Sequence, residues 1–334
     1  MVQLKMRYCE ACRNKEIRKN DNHSHGGLMA RLVRFLKFAP LPCVLAVATH
    51  AQVQASQPIV VAVDGTLCDL TRTLAGRSAS ITCLVPPGGD PHSYRLKPSD
   101  RQAITKAALV VHSGFGLSPA ARKLKTSGEV VAIGEVALPS YRGNDPHVWH
   151  NPTNSAAMVG VLADSLVAVL PADQKAAVSA RSMKAKAVLM DLGNWMSVQL
   201  RALPESQRVL VIDHQTYSHL ADRYGIKQIS MLDSYTTGGV LRPSSLRKIT
   251  SAVKSSGAKT IFSGYIPANK SLKRISRQTG LPIASTPLYG EGIAPGKNAV
   301  STATLNICTF LKGQGGRCDQ ASADQLSARW QAIR

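Results

Sequence analysis

The tripeptide Asp-Pro-His occurs twice, in Gly89-Asp90-Pro91-His92-Ser93-Tyr94 and in Asp145-Pro146-His147-Val148-Trp149-His150. Proline fixes its own φ and biases the residue before it toward extended backbone, so each following histidine is held at a loop tip where its ring can point into a cleft. Turn chemistry accounts for Asp-Pro but not for the repeated His. Neutral imidazole is the commonest protein ligand for zinc and suits other first-row metals, so the pair points to a metal site.

The elements that must position these rings read as alternating strands and helices. In the first half these are a strand at 59–63, a helix over 70–74, a strand at 80–85, a helix over 99–108 and a strand at 109–112. Such alternation predicts a parallel sheet covered on both faces. After the second Asp-Pro-His, Asn151-Pro152-Thr153-Asn154 can cap a helix over 158–170 that Pro171 ends. Residues 172–203 contain no Pro and a single Gly, Gly193, and are rich in Ala, Lys, Leu and Met. As one helix they would span about 48 Å, longer than one small lobe needs, so the segment predicts a strut between two lobes. Alternation then resumes, with strands at 208–212, 228–231, 260–263 and 283–288 and helices over 217–224, 244–255 and 270–279. In parallel sheets, ligands bind beyond the carboxyl ends of strands. His92, His214 and Glu291 each follow a predicted strand, and His147 lies in the loop feeding the connecting helices, so two groups from each lobe can converge on one cleft.

The amino terminus is set apart from this fold. Residues 29–55 run basic (Arg31, Arg34, Lys37), then apolar, then small and polar up to Ala55, the layout of a cleaved secretory signal peptide. The apolar run is shorter than the ~20 residues that span a bilayer. Residues 1–28 read as a disordered leader or a mis-assigned start, with Met29 the favoured beginning; the Cys9, Cys12, His23 and His25 found there do not match zinc-finger spacing. The expected boundaries are therefore a first metal-binding lobe over 56–171, a linking helix over 172–203 and a second metal-binding lobe over 204–334.

The chain carries 41 basic and 20 acidic residues, net +21, and stays basic without its first 55 residues. The basic residues are dispersed, aromatics are few and no nucleic-acid motif appears, so nucleic acid is not an expected partner. Four cysteines follow residue 55: Cys68, Cys83, Cys308 and Cys318. In an oxidising compartment the short spacings favour Cys68 with Cys83 and Cys308 with Cys318, with free buried thiols as the alternative.

The segments around both Asp-Pro-His copies, with Pro98-Ser99-Asp100, Ala107-Ala108-Leu109-Val110-Val111 and Gly114-Phe115-Gly116-Leu117, resemble the zinc and manganese substrate-binding proteins of ABC importers, cluster A-I. The likeness runs over about residues 57–313. It implies an α/β fold of two Rossmann-like lobes joined by one long helix, a single metal in the cleft, small lobe movements and delivery to a membrane permease from the periplasm or another extracytoplasmic space. It also implies four metal ligands. His92 and His147 match the first-lobe histidines. His214, in Val211-Ile212-Asp213-His214-Gln215-Thr216-Tyr217, matches zinc-type members, whereas manganese-type members place Glu there. Glu291, in Leu288-Tyr289-Gly290-Glu291-Gly292, stands where the family usually has Asp.

Three imidazoles and one carboxylate form a nitrogen-rich set that fits tetrahedral zinc better than manganese. The His-rich loop that many zinc members carry before the second Asp-Pro-His is absent, so the zinc reading rests on His214. His150 replaces a residue that is usually apolar in the family and is expected outside the ligand set, as are Asp90, Asp145 and Trp149, which can orient, cap or pack beside it. His112 and His219 are expected in packing or at the surface. The expected activity is capture of zinc by a monomer that docks on its ABC permease. Manganese binding or a metal-dependent adhesin role is the alternative, and a zinc hydrolase the remote one, lacking any His-Glu-x-x-His base.

Overall fold

A computed structural model describes residues 57–232 and 242–334. The expected leader and signal peptide lie outside them, as do Cys9, Cys12, His23 and His25. The first sheet is built from β1 (Ile59–Ala62), β2 (Ser80–Cys83), β3 (Leu109–His112) and β4 (Glu129–Ala132), in the order β2-β1-β3-β4 with every pairing parallel. The residues of β1 and β3 are almost all buried, as expected for Val-rich strands covered on both faces. Strand β4 was not anticipated; it is four residues long and runs directly into the short helix α3 (Ile133–Ala137). Between the strands run α1 (Gly65–Ala75) and α2 (Pro98–Lys106). α1 begins five residues earlier than expected because Asp64 caps it, its Oδ1 accepting the Leu67 N–H at 3.0 Å.

α4 (Pro152–Val169) opens on the Asn151 cap, whose side chain accepts from Thr153 N, and Pro152 occupies its first position. α5 (Ala172–Arg201) is one unbroken helix of 30 residues, about 45 Å long. It packs against α1 and α4 on one side of the chain and against α9 (Ala299–Gly313) and α10 (Gln320–Gln331) on the other.

The second sheet is more irregular than the sequence implies. β5 (Val209–Ile212) and β6 (Lys227–Ser230) pair in parallel, flanked by α6 (Ser218–Tyr224), α7 (Pro243–Lys254) and α8 (Lys270–Thr279). The strands expected at 260–263 and 283–288 shrink to single parallel bridges, Val211 to Ile261 and Ile261 to Ile283. Pro267, Pro282 and Pro287 remove backbone donors from this region, which prevents a full ladder. The parallel direction still follows the expectation, since Phe262 N–H reaches Val211 O at 2.8 Å and Ala284 N–H reaches Ile261 O at 2.9 Å. The architecture is therefore two lobes of parallel sheet joined by one long helix.

A single apolar cluster unites Leu67 and Leu74 of α1, Leu162 of α4, Leu192 of α5, Ile212 of β5 and Phe310 of α9. A polar clasp reinforces it. The buried Asp69 carboxylate on α1 accepts the Ala299 N–H at 2.8 Å and the Trp330 indole N–H at 2.9 Å, and pairs with Arg334. Cys68 and Cys83 are bonded with Cα atoms 5.5 Å apart, tying α1 to β2, and Cys308 is bonded to Cys318 with Cα atoms 5.2 Å apart, tying α9 to the turn before α10.

Candidate metal centre

Both Asp-Pro-His copies fold as the same turn. In each, the aspartate Oδ1 accepts the backbone N–H of the histidine two residues on, at 2.8 Å for Asp90 and His92 and 2.9 Å for Asp145 and His147, an Asx turn that aims the ring inward. The copies then diverge. Asp145 Oδ1 also accepts from the His147 ring at Nδ1, 2.7 Å away, so when the ring is neutral its proton stays on Nδ1 and Nε2 is the nitrogen that can bind. Asp90 instead takes the Ser93 hydroxyl on its second oxygen at 2.9 Å.

His214 follows β5 and Glu291 sits in the loop after Leu288. The structure brings His92, His147, His214 and Glu291 together, one donor atom from each within 4.8 Å of the others. His92 Nε2 and His147 Nε2 are 3.1 Å apart, and Glu291 Oε2 lies 3.0 Å from the first and 3.3 Å from the second. Glu291 Oε1 faces His214 Nε2 at 2.6 Å but makes no well-directed hydrogen bond. Four donors gathered this closely can hold a metal ion.

Electrostatics agree with that geometry. Burial opposes charge on His147, yet the Glu291 carboxylate and the Asp145 bond outweigh it, and its pKa lies above the ordinary value. Burial likewise opposes charge on His214, but Asp213 and Glu291 raise it to about 9. Burial would raise the Glu291 pKa, and the surrounding imidazoles hold it well below the carboxylate range instead. Without metal, protons take over the role of neutralising the carboxylates.

Several site residues carried no sequence signal of their own. Asp213 Oδ1 lies 3.3 Å from His214 Nδ1, and its Oδ2 accepts the Gly264 N–H at 3.1 Å; the only hint was an acid adjoining a candidate histidine at a strand end. A Cβ on Gly264 would meet Asp213 only at 3.6 Å, so steric crowding does not account for glycine there. Thr216 Oγ1 sits 2.7 Å from His214 Nε2, and its hydroxyl must turn away when that nitrogen takes a metal. His150 lies outside the cluster, half-buried, with Nε2 2.9 Å from Gly290 O; burial and the nearby His147 charge lower its pKa to about 4. Trp149 packs edge-on to His147, ring centroids 5.5 Å apart. His219 bonds to Asp145 O at 3.3 Å and His112 ends β3, so neither joins the cluster.

The chain matches the family described as zinc-uptake complex component A, periplasmic, over residues 60–310. It is 28% identical over 262 residues to a manganese-binding lipoprotein MntA of Halalkalibacterium halodurans, covering 74% of this chain and 85% of that protein. It is 25% identical over 267 residues to an iron-binding protein YfeA of Yersinia pestis, covering 74% and 83%. Its fold superposes on the periplasmic zinc-binding protein TroA of Treponema pallidum with a TM-score of 0.72 at 22% identity, covering 78% of this chain and all of the other.

Proposed function

The chain belongs to the periplasmic zinc-uptake component A family, metal-binding components of ABC importers and not enzymes, and from that premise we propose that it captures zinc and hands it to a membrane permease. The ligands in this reading are His92 and His147 from the first lobe and His214 and Glu291 from the second. The observation that carries it is the convergence of three imidazole nitrogens and one buried carboxylate within 4.8 Å. Metal–ligand bonds of about 2.0–2.1 Å put the edges of a tetrahedron at about 3.3 Å, and the donor separations of 3.0, 3.1 and 3.3 Å involving His92, His147 and Glu291 Oε2 approach that value. Zinc favours such nitrogen-rich tetrahedra, whereas manganese favours more oxygen.

Capture follows from the residues. Asp145 and Asp213 set their histidines with Nδ1 toward a carboxylate and Nε2 toward the cleft. Zinc displaces the protons held by His147 and His214, and Glu291 draws the second lobe onto the first. The stiff α5 limits that movement to a small closure, and the closed form is the one presented to the permease. A cleaved signal over residues 29–55 would deliver a monomeric chain to the periplasm, where both disulfides are stable.

Manganese is the second reading, and one observation favours it: the two Glu291 oxygens face different histidines, so the carboxylate can bind through both and raise the coordination number. Direct competition tests the choice. The metal-stripped chain is titrated with zinc in excess manganese, reading bound metal per chain. One tight zinc that manganese does not displace supports the zinc reading; preferential manganese occupancy overturns it.

A further inference from the structure

We propose that His150 is a positioning residue that latches the Glu291 loop from the opposite lobe and thereby slows release of the bound metal. The proposal rests on the metal site described above.

A carbonyl can only accept, so the 2.9 Å contact between His150 Nε2 and Gly290 O is an imidazole N–H donating to the backbone. That carbonyl belongs to the same planar peptide unit as the Glu291 N–H. Fixing its direction fixes the plane from which the Glu291 side chain departs. On its other side the loop is held by its own lobe. Asn306 on α9 accepts the Tyr289 N–H and donates to the Tyr289 carbonyl, both at 2.9 Å. Gly290 is pressed so closely on Thr216 that a Cβ there would come within 2.2 Å of its methyl group.

His150 therefore supplies a restraint on this loop that crosses between lobes. It is a rigid one, because its ring lies against Tyr217 with centroids 4.3 Å apart and beside Trp149 at 5.4 Å. A second bond between the lobes, Gly88 N–H to Ile293 O at 2.7 Å, brackets Glu291 from the far side. Of these two bonds, His150 provides the one made by a side chain. A glutamate arm has more torsions to fix than an aspartate, so anchoring its backbone matters more at this position. Opening the cleft to release metal requires the His150 bond to break.

The test is capture of zinc by an excess of chelator after rapid mixing with the zinc-loaded chain, comparing parent, His150→Leu, His150→Gln and His150→Asn. His150→Leu removes the donor, and loss of a hydrogen bond supporting a metal ligand is expected to speed zinc release about 10-fold, with one zinc per chain retained. His150→Gln places an N–H at similar reach and restores most of the parental rate, whereas the shorter Asn does not. Should the Leu variant fail to fold, the Gln and Asn pair carries the comparison. Parental release from Leu and Asn, or release from Gln as fast as from Leu, overturns the latch. His214→Ala separates the two claims: if it abolishes tight zinc binding while His150→Leu releases at the parental rate, only the latch fails. If His214→Ala still holds zinc at parental affinity, the site itself fails and the latch with it.

Discussion

Asp145→Asn probes how far the chain's own residues prepare the site before metal arrives. Asp145 is buried, and its Oδ1 serves both the His147 backbone N–H at 2.9 Å and the ring Nδ1–H at 2.7 Å. Asparagine keeps that oxygen, and the backbone N–H opposes a flip of the amide, so the turn survives. What disappears is the negative charge behind the imidazole, which makes Nε2 a better donor and stabilises the positive charge the ring acquires on binding. Loss of such a partner typically costs 10–100-fold in metal affinity, about 1.4–2.7 kcal/mol. Burial opposes the Asp145 charge, yet its bond and attraction to His147 hold its pKa below the usual carboxylate range, so the metal-free variant also melts at a lower temperature near neutral pH. The assay is zinc affinity by chelator competition at fixed pH, with the metal-free melting temperature measured in parallel. Asp90→Asn in the matching turn is the control, since Asp90 meets the His92 backbone N–H, and it is expected to change affinity far less. If Asp145→Asn binds zinc within about 2-fold of the parent, well short of the range expected for such partners, Asp145 is a turn cap alone and the preorganised imidazole is wrong.

Other outcomes follow from the same structure. His147 and His214 have raised pKa values when folded, so their contribution to metal-free stability is complete below about pH 6.5 and is lost as pH rises through about 9 for His214, on the order of 3 kcal/mol for a shift of this size. Calorimetry of the metal-free chain should show this decline while the zinc-induced rise in melting temperature grows over the same interval; a zinc effect independent of pH contradicts it. Zinc affinity should accordingly weaken from about pH 9 downward, a higher onset than an unperturbed histidine near 6.5 would give, and isothermal titration in buffers of different ionisation enthalpy should register proton release at pH 7. Replacing both Cys68 and Cys83 by Ser opens a 15-residue loop, expected to cost about 3 kcal/mol in denaturant unfolding without changing zinc stoichiometry. Asp69→Ala strands the Ala299 and Trp330 donors and is expected to cost about 1–3 kcal/mol for each group left buried without a partner.

The parts legible in the sequence are those fixed by local chemistry. Asp-Pro-His builds an Asx turn from three consecutive residues, so His92 and His147 announce themselves, and the Ala- and Leu-rich run after Pro171 could be read as one helix because nothing in it breaks one. His214 and Glu291 could be placed on the binding edge by the strands they follow, but their assignment as ligands came through resemblance, since a histidine after a strand and a glutamate between glycines are common singly. Asp213 and Thr216 were missed although they stand one and two residues from His214, because an acid or a hydroxyl beside a histidine is common. Asn306 was missed because its role exists only after separate segments meet, its side chain gripping a backbone 17 residues earlier. The second sheet was misjudged in regularity for a related reason. Its apolar runs signal burial at Ile261 and Ile283, but prolines beside them decide that burial is achieved with single bridges and not full strands.

One zinc ion held by His92, His147, His214 and Glu291 where the two lobes meet is the proposal on which the rest depends. A crystal of the zinc-loaded chain, measured on both sides of the zinc absorption edge, tests it most directly. One anomalous peak is expected, bounded by Nε2 of His92, His147 and His214 at about 2.0–2.1 Å and by the Glu291 carboxylate at about 2.0–2.2 Å. A peak that lacks His214 or Glu291 among its neighbours, or that lies away from this cluster, would contradict it.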